Sequence, residues 1–169
     1  NGSTTNDRTN YWETLPSNHL ELALWLESDR MGFLLEALDE KRFDVQRNVV
    51  KNERRQSYEN RPYGKADLEI QSAVFPPPHP YNWPTIGSQQ DLDSASLQDV
   101  KNFFRRYYSS SNASLAIAGD IDINAAKELV DKYFANLTPG PAVKRMERQD
   151  SSLKGQTAIT LPDNVQFPR

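Results

Sequence analysis

The 169-residue chain contains no cysteine, which excludes disulfide scaffolds, thiolate zinc sites and cysteine nucleophiles together. It lacks any apolar run long enough to cross a membrane as a helix. It also lacks a concentrated basic face. Its 20 Lys and Arg stand among 23 Asp and Glu, for a net charge of −3, whereas phosphate backbones are bound by clustered cations. Neither nucleic acid nor a membrane segment is therefore expected. The chain opens Asn1-Gly2-Ser3, without the basic start and apolar stretch of a signal peptide and without an initiating methionine. The expectation is an internal piece of a larger gene product. Cysteine absence favours a periplasmic or secreted compartment slightly and fixes none. No internal repeat or low-complexity run is present.

What is present describes a folded chain: 37% of residues are apolar and 25% charged, in the range of globular domains. The Thr-rich opening from Asn1 to Leu15 favours extended structure, a strand or hairpin arm. Leu20, Leu24, Met31, Leu34, Leu35 and Leu38 recur at helical spacing and predict a long helix with one buried stripe. A second helix is expected from near Asp39 to about Tyr58, ended by the breakers of Asn60-Arg61-Pro62-Tyr63-Gly64, and a shorter one from Ala66 to Phe75. Five prolines between Pro76 and Pro84 forbid helix and central strand alike, leaving an ordered loop. Ser96 with Asp99 reads as a capping box, and Asp122 caps a helix over Asn124–Phe134. Ser114–Ala118 and Thr157–Leu161 read as strands. The order predicts an α+β domain with helices on one face of a mainly antiparallel sheet, incomplete within these residues. Tyr11, Trp12 and Trp25 are expected in the core.

The second helix is the one that carries chemistry. Gln46, Val49, Val50, Glu53 and Ser57 fall at i, i+3, i+4, i+7 and i+11, so they share a face, and the valines point to an inward one. An inward carboxylate is costly unless it is paired or binds a metal. Two readings fit: a glutamate aimed at a metal, or a solvated glutamate paired with Arg54, Arg55 or another cation at the helix surface. Of the two histidines, His79 sits between prolines with no matching ligand nearby. His19 lies in the first turn of the first helix, a surface or capping position.

The stretch from Val45 to Gln56, Val-Gln-Arg-Asn-Val-Val-Lys-Asn-Glu-Arg-Arg-Gln, resembles the second-helix motif of the pitrilysin/insulinase zinc metallopeptidases, which have an inverted zinc motif. So do Tyr58-Glu59-Asn60-Arg61-Pro62-Tyr63-Gly64, His79-Pro80-Tyr81, Asn112-Ala113 with Ala118-Gly119-Asp120, and the opening Asn1–Tyr11. Five matches in the family's order cover nearly the whole chain. The resemblance implies a metallohydrolase-like α/β roll. In that family, zinc is held by two histidines of His-x-x-Glu-His and by a glutamate on a later helix, which corresponds to Glu53. Gln46 stands where the family often has a second glutamate and would give a hydrogen bond without charge. The strand Asn1, Gly2, Ser3 and Thr4 would lie where peptide substrate adds to a sheet edge, unless it is an ordinary polar edge.

His-x-x-Glu-His is absent from this sequence. A catalytic zinc takes three protein ligands and keeps a fourth position for water, so one carboxylate cannot hold it usefully. The resemblance implies the C-terminal portion of a catalytic domain over 1–169, with a linker to a second homologous half beginning at 162–169. Peptides or short polypeptides would be the substrates of a parent endopeptidase. The chain alone would be inactive, its zinc absent or weakly bound, and it would pair with the second half or with its own copy. The rival is a non-catalytic, structural or substrate-recognising subunit of the same fold. Calorimetric titration of this chain alone with zinc is expected to show no tight site; sub-micromolar binding would contradict an incomplete centre.

Overall fold

Helices dominate, and several begin where a short polar side chain accepts an amide that the first turn leaves free. The computed structural model describes residues 1–150 and 155–167. Strands β1 (Gly2–Thr4) and β2 (Thr9–Tyr11) form a hairpin, followed by helices α1 (Leu20–Ala37) and α2 (Glu40–Arg54). A π-helical turn (Arg55–Glu59) leads to α3 (Gly64–Val74), α4 (Gln89–Ser94), α5 (Leu97–Tyr107) and α6 (Ile123–Phe134). Ser88 Oγ caps α4 by accepting from Asp91 N at 3.0 Å. Ser96 and Asp99 close the expected capping box on α5, and Asp122 caps α6 by accepting from Ala125 N at 2.8 Å.

The chain divides into two compact units, one of residues 1–2, 10–40 and 96–145, the other of 3–9, 41–95 and 146–169. In the first, α1 packs on α6 and buries Leu24, Ser28 and Ala126. The predicted stripe of α1 is the one covered: Leu20, Met31, Leu34, Leu35 and Leu38 are all half-buried. A second apolar face, with Leu22, Trp25, Leu26 and Phe33, stays exposed. Tyr11, Trp12 and Trp25, expected in the core, are exposed at 43%, 47% and 48%; α1 is apolar on more sides than α6 can cover. Arg30 lies over the Tyr11 ring, 4.2 Å from its centroid, and the Tyr11 hydroxyl is 3.3 Å from that of Tyr108. On the surface, Glu21 accepts from Lys132 Nζ at 2.6 Å and from Tyr133 at 2.8 Å, an exposed pair that contributes little to stability.

In the second unit the proline loop folds as an aromatic cluster. Phe75 meets His79 at 4.7 Å and Tyr81 at 5.4 Å between ring centroids, and Asn82 Nδ2 donates to Phe75 O at 2.9 Å. The turn before α3 is equally constrained. Tyr63 has a left-handed φ of 62°, and its amide donates to Asp163 Oδ2 at 2.9 Å. Its hydroxyl donates to Phe167 O at 2.8 Å, so residues 163–167 lie against this turn. Of the expected linker start at 162–169, residues 168 and 169 lie outside the described residues.

The sheet is much smaller than expected. There is one two-stranded sheet among the described residues, and Ser114–Ala118 and Thr157–Leu161 carry no strand pairing. A strand is held by neighbours that satisfy its amides, and the described residues offer these two segments none.

Two outcomes follow from this packing. A Cβ at Gly64 would stand 2.3 Å from Tyr58 O and 2.9 Å from Tyr58 Cα, both backbone atoms that cannot swing aside. Gly64→Ala should lower the urea stability by about 1–3 kcal/mol, the usual cost of forced overpacking; an unchanged midpoint would refute the close approach. Partial burial and the bond with Tyr108 push the Tyr11 hydroxyl from 10.0 up to about 12. Its neutral form is thus favoured in the fold, and that contribution is complete below pH 10 and lost as pH rises towards 12. Absorbance titration should show a late tyrosinate component that Tyr11→Phe removes; a titration complete near pH 10 would contradict it.

Candidate functional site

Helix α2 presents a different face inward from the one its valines mark. Phe43 is buried, and Arg47, Val50, Lys51 and Arg54 are half-buried. These positions recur at i, i+4, i+7, i+8 and i+11 and form one stripe. Arginine and lysine can lie inward because their stems are apolar while their charged ends reach polar partners. Each cation has such a partner. Arg47 stacks on Phe43 with its guanidinium 4.8 Å from the ring centroid and donates from Nη1 to Ala95 O at 2.8 Å. Lys51 bonds the Asp93 carboxylate, and that bond holds the Asp93 carboxyl below its ordinary range. Arg54 donates from Nη1 to Gly87 O at 2.6 Å. Its Nε lies 3.3 Å from Glu59 Oε1. Three cations on one face therefore tie α2 to the segment from Gly87 to Ala95.

That docking turns the expected site face outward. Gln46, Val49, Glu53 and Ser57 are exposed and Val50 is half-buried; Val45 and Val49 are exposed at 58% and 50%. The inward placement expected for Glu53 is corrected on this point, because the valines are outcompeted by Phe43 and three basic residues that each reach a backbone carbonyl or a carboxylate. Of the alternative, the solvated position is what the structure has, while the pairing with Arg54 or Arg55 is not found among the described residues. Arg54 pairs with Glu59 and Arg55 donates to Asn52 Oδ1 at 3.1 Å. Among the described residues the Glu53 carboxylate has no hydrogen-bond or ion-pair partner. Gln46 lies two turns below it on the same exposed face.

The remaining sequence candidates fall elsewhere. His79 is buried; its Nδ1 accepts from Tyr81 N at 3.0 Å and its Nε2 faces Gln149 O at 3.3 Å. With both ring nitrogens used by the backbone, it is a fold residue. His19 is exposed ahead of α1. In the strand Asn1–Thr4, the α-amino group donates to Trp12 O and Asn1 O accepts from Trp12 N, both at 3.0 Å. The hairpin thus uses one edge of β1, and the other has no partner strand among the described residues. No cluster of three or more His, Cys, Asp or Glu stands in a metal-holding arrangement among the described residues. The Glu53 carboxylate, without a partner among the described residues, has the donor chemistry of a single zinc ligand and would need others to complete a site. Sequence reasoning missed the Arg47, Lys51 and Arg54 ladder, although its i, i+4, i+7 spacing was there to be read.

Known proteins match both the sequence and the fold. Residues 94–169 match a family described as the peptidase M16 inactive domain. The chain is 32% identical over 172 residues to the zinc protease PqqE of Helicobacter pylori, covering 98% of this chain and 37% of that protein. It is 27% identical over 167 residues to the insulin-degrading enzyme of Homo sapiens, covering 91% of this chain and 16% of that one. The crystal structure of a protease from Helicobacter pylori superposes with a TM-score of 0.69 at 29% identity, over 81% of this chain and 32% of that one. The ferredoxin protease FusC, solved in complex with Arabidopsis ferredoxin, shares the fold with a TM-score of 0.68. The fold is the one these solved proteases share. Over nearly its whole length the chain is similar to pitrilysin/insulinase-like proteins of the M16 kind. It spans little more than a third of the length of PqqE.

Proposed function

We propose that this chain is the part of a zinc-dependent endopeptidase's catalytic domain that supplies the glutamate ligand, Glu53. The observation that carries the reading is a carboxylate without a partner among the described residues, held on an exposed helix face in a chain whose relatives are named zinc proteases. The other two ligands and the general base belong to a His-x-x-Glu-His helix contributed by residues outside this chain. That helix packs on the open face of α2, where Val45 and Val49 give it an apolar seat beside Glu53. When bound, zinc acidifies a coordinated water so that peptide hydrolysis proceeds at neutral pH. Glu53 supplies charge and one oxygen to the metal, and Gln46 orients its surroundings through a neutral hydrogen bond. Strand β1 offers its free edge, Asn1 to Thr4, to an extended peptide, which gains main-chain hydrogen bonds with little sequence preference. Peptides or short polypeptides are the substrates, and a second homologous half encloses them. The unpaired segments Ser114–Ala118 and Thr157–Leu161 join the α/β roll of the complete domain, and the exposed apolar face of α1 is covered there.

A specific observation favours a second reading. The matched family over residues 94–169 is described as an inactive domain, which fits a non-catalytic subunit that recognises substrate or supports an active partner. One experiment separates the two. In the full-length protein, the peptidase reading expects about one tightly bound zinc per chain and proteolysis of an unstructured peptide. It expects Glu53→Gln to weaken zinc binding by more than about 100-fold, beyond the range for residues that only support a ligand, and to abolish hydrolysis. A wild-type protein without zinc or peptidase activity would establish the subunit reading.

A further inference from the structure

Resting on the reading of Glu53 as a metal ligand, we propose that Arg54 is the positioning residue that sets the direction of the Glu53 carboxylate. Glu53 has no bond of its own among the described residues to fix it, and it sits one residue before the regular α-helix ends at Arg54. Helix ends fray, so a ligand there needs an external constraint. Successive residues on an α-helix are about 100° apart around the axis. Fixing the azimuth of Arg54 therefore fixes that of Glu53.

Arg54 is fixed from two directions. Its side chain is 14% exposed, and Nη1 donates to Gly87 O at 2.6 Å. Gly87 turns that carbonyl from a left-handed φ of 76°. Nε lies 3.3 Å from Glu59 Oε1, an ion pair without a hydrogen bond, at the far end of the π-helical turn Arg55–Glu59. The turn itself is closed by Asn60 N donating to Arg55 O at 2.7 Å. One guanidinium thus clamps the last α turn, the wider turn after it and the neighbouring loop. Single π turns within helices are often found at functional sites, and here one begins two residues after the proposed ligand. Lysine cannot reproduce the clamp, since its single ammonium lacks the planar fork that reaches both partners.

The test uses the full-length protein with Arg54→Lys, which keeps the charge, and Glu59→Gln, which removes only the ion pair. Zinc affinity is read by chelator competition, cobalt substitution by its visible absorption bands, and folding by thermal melting. Supporting residues of metal ligands typically change affinity by about 10–100-fold, and that loss is expected for Arg54→Lys, with shifted cobalt bands, in protein still folded at the assay temperature. A smaller change in the same direction is expected for Glu59→Gln. Wild-type affinity and an unaltered cobalt spectrum in both variants would overturn the positioning role while leaving Glu53 a ligand. If wild-type protein takes up neither metal, the ligand role of Glu53 falls and this proposal with it.

Discussion

The bond from the Arg54 guanidinium to the Gly87 carbonyl is the constraint on which the rest of the site depends. With Arg47 on Ala95 and Lys51 on Asp93, it determines which side of α2 lies against the segment from Gly87 to Ala95. Charged side chains do this work because burial of their stems is favourable only if their ends find partners. An unmatched guanidinium here would be expelled, and the helix would turn with it. Specificity of orientation thus comes from polar satisfaction as much as from Phe43, the buried apolar residue of α2.

The outward face is the consequence. Val45, Val49 and Glu53 are exposed together on it, and the proposed docking helix would seat there. The π turn begins two residues after Glu53, and the left-handed Tyr63 and the close approach of Gly64 to Tyr58 lie further on, at the start of α3.

Much of this was legible from residue order, and the failures have definite causes. Ser96 with Asp99 and Asp122 alone announced two helix starts, because capping is a local interaction. The α1 stripe from Leu20 to Leu38 was legible because one periodic face meets one partner helix. The facing of α2 was not: a pattern of valines marks an apolar side but does not reveal that Arg47, Lys51 and Arg54 find acceptors some 30 to 50 residues onward in the chain. Strand propensity at Ser114–Ala118 and Thr157–Leu161 likewise says nothing of whether partner strands are at hand. Glu53 stood out only through the surrounding motif, since an exposed glutamate on a helix is ordinary by composition.

The central claim is that Glu53, aimed by its neighbour, binds a metal completed by residues outside this chain. Anomalous diffraction at the zinc edge, from crystals of the full-length protein, tests it most directly. The account predicts a strong peak about 2.0–2.2 Å from a Glu53 carboxylate oxygen, the ordinary zinc–carboxylate distance. A zinc peak held elsewhere, with Glu53 facing solvent, would contradict it.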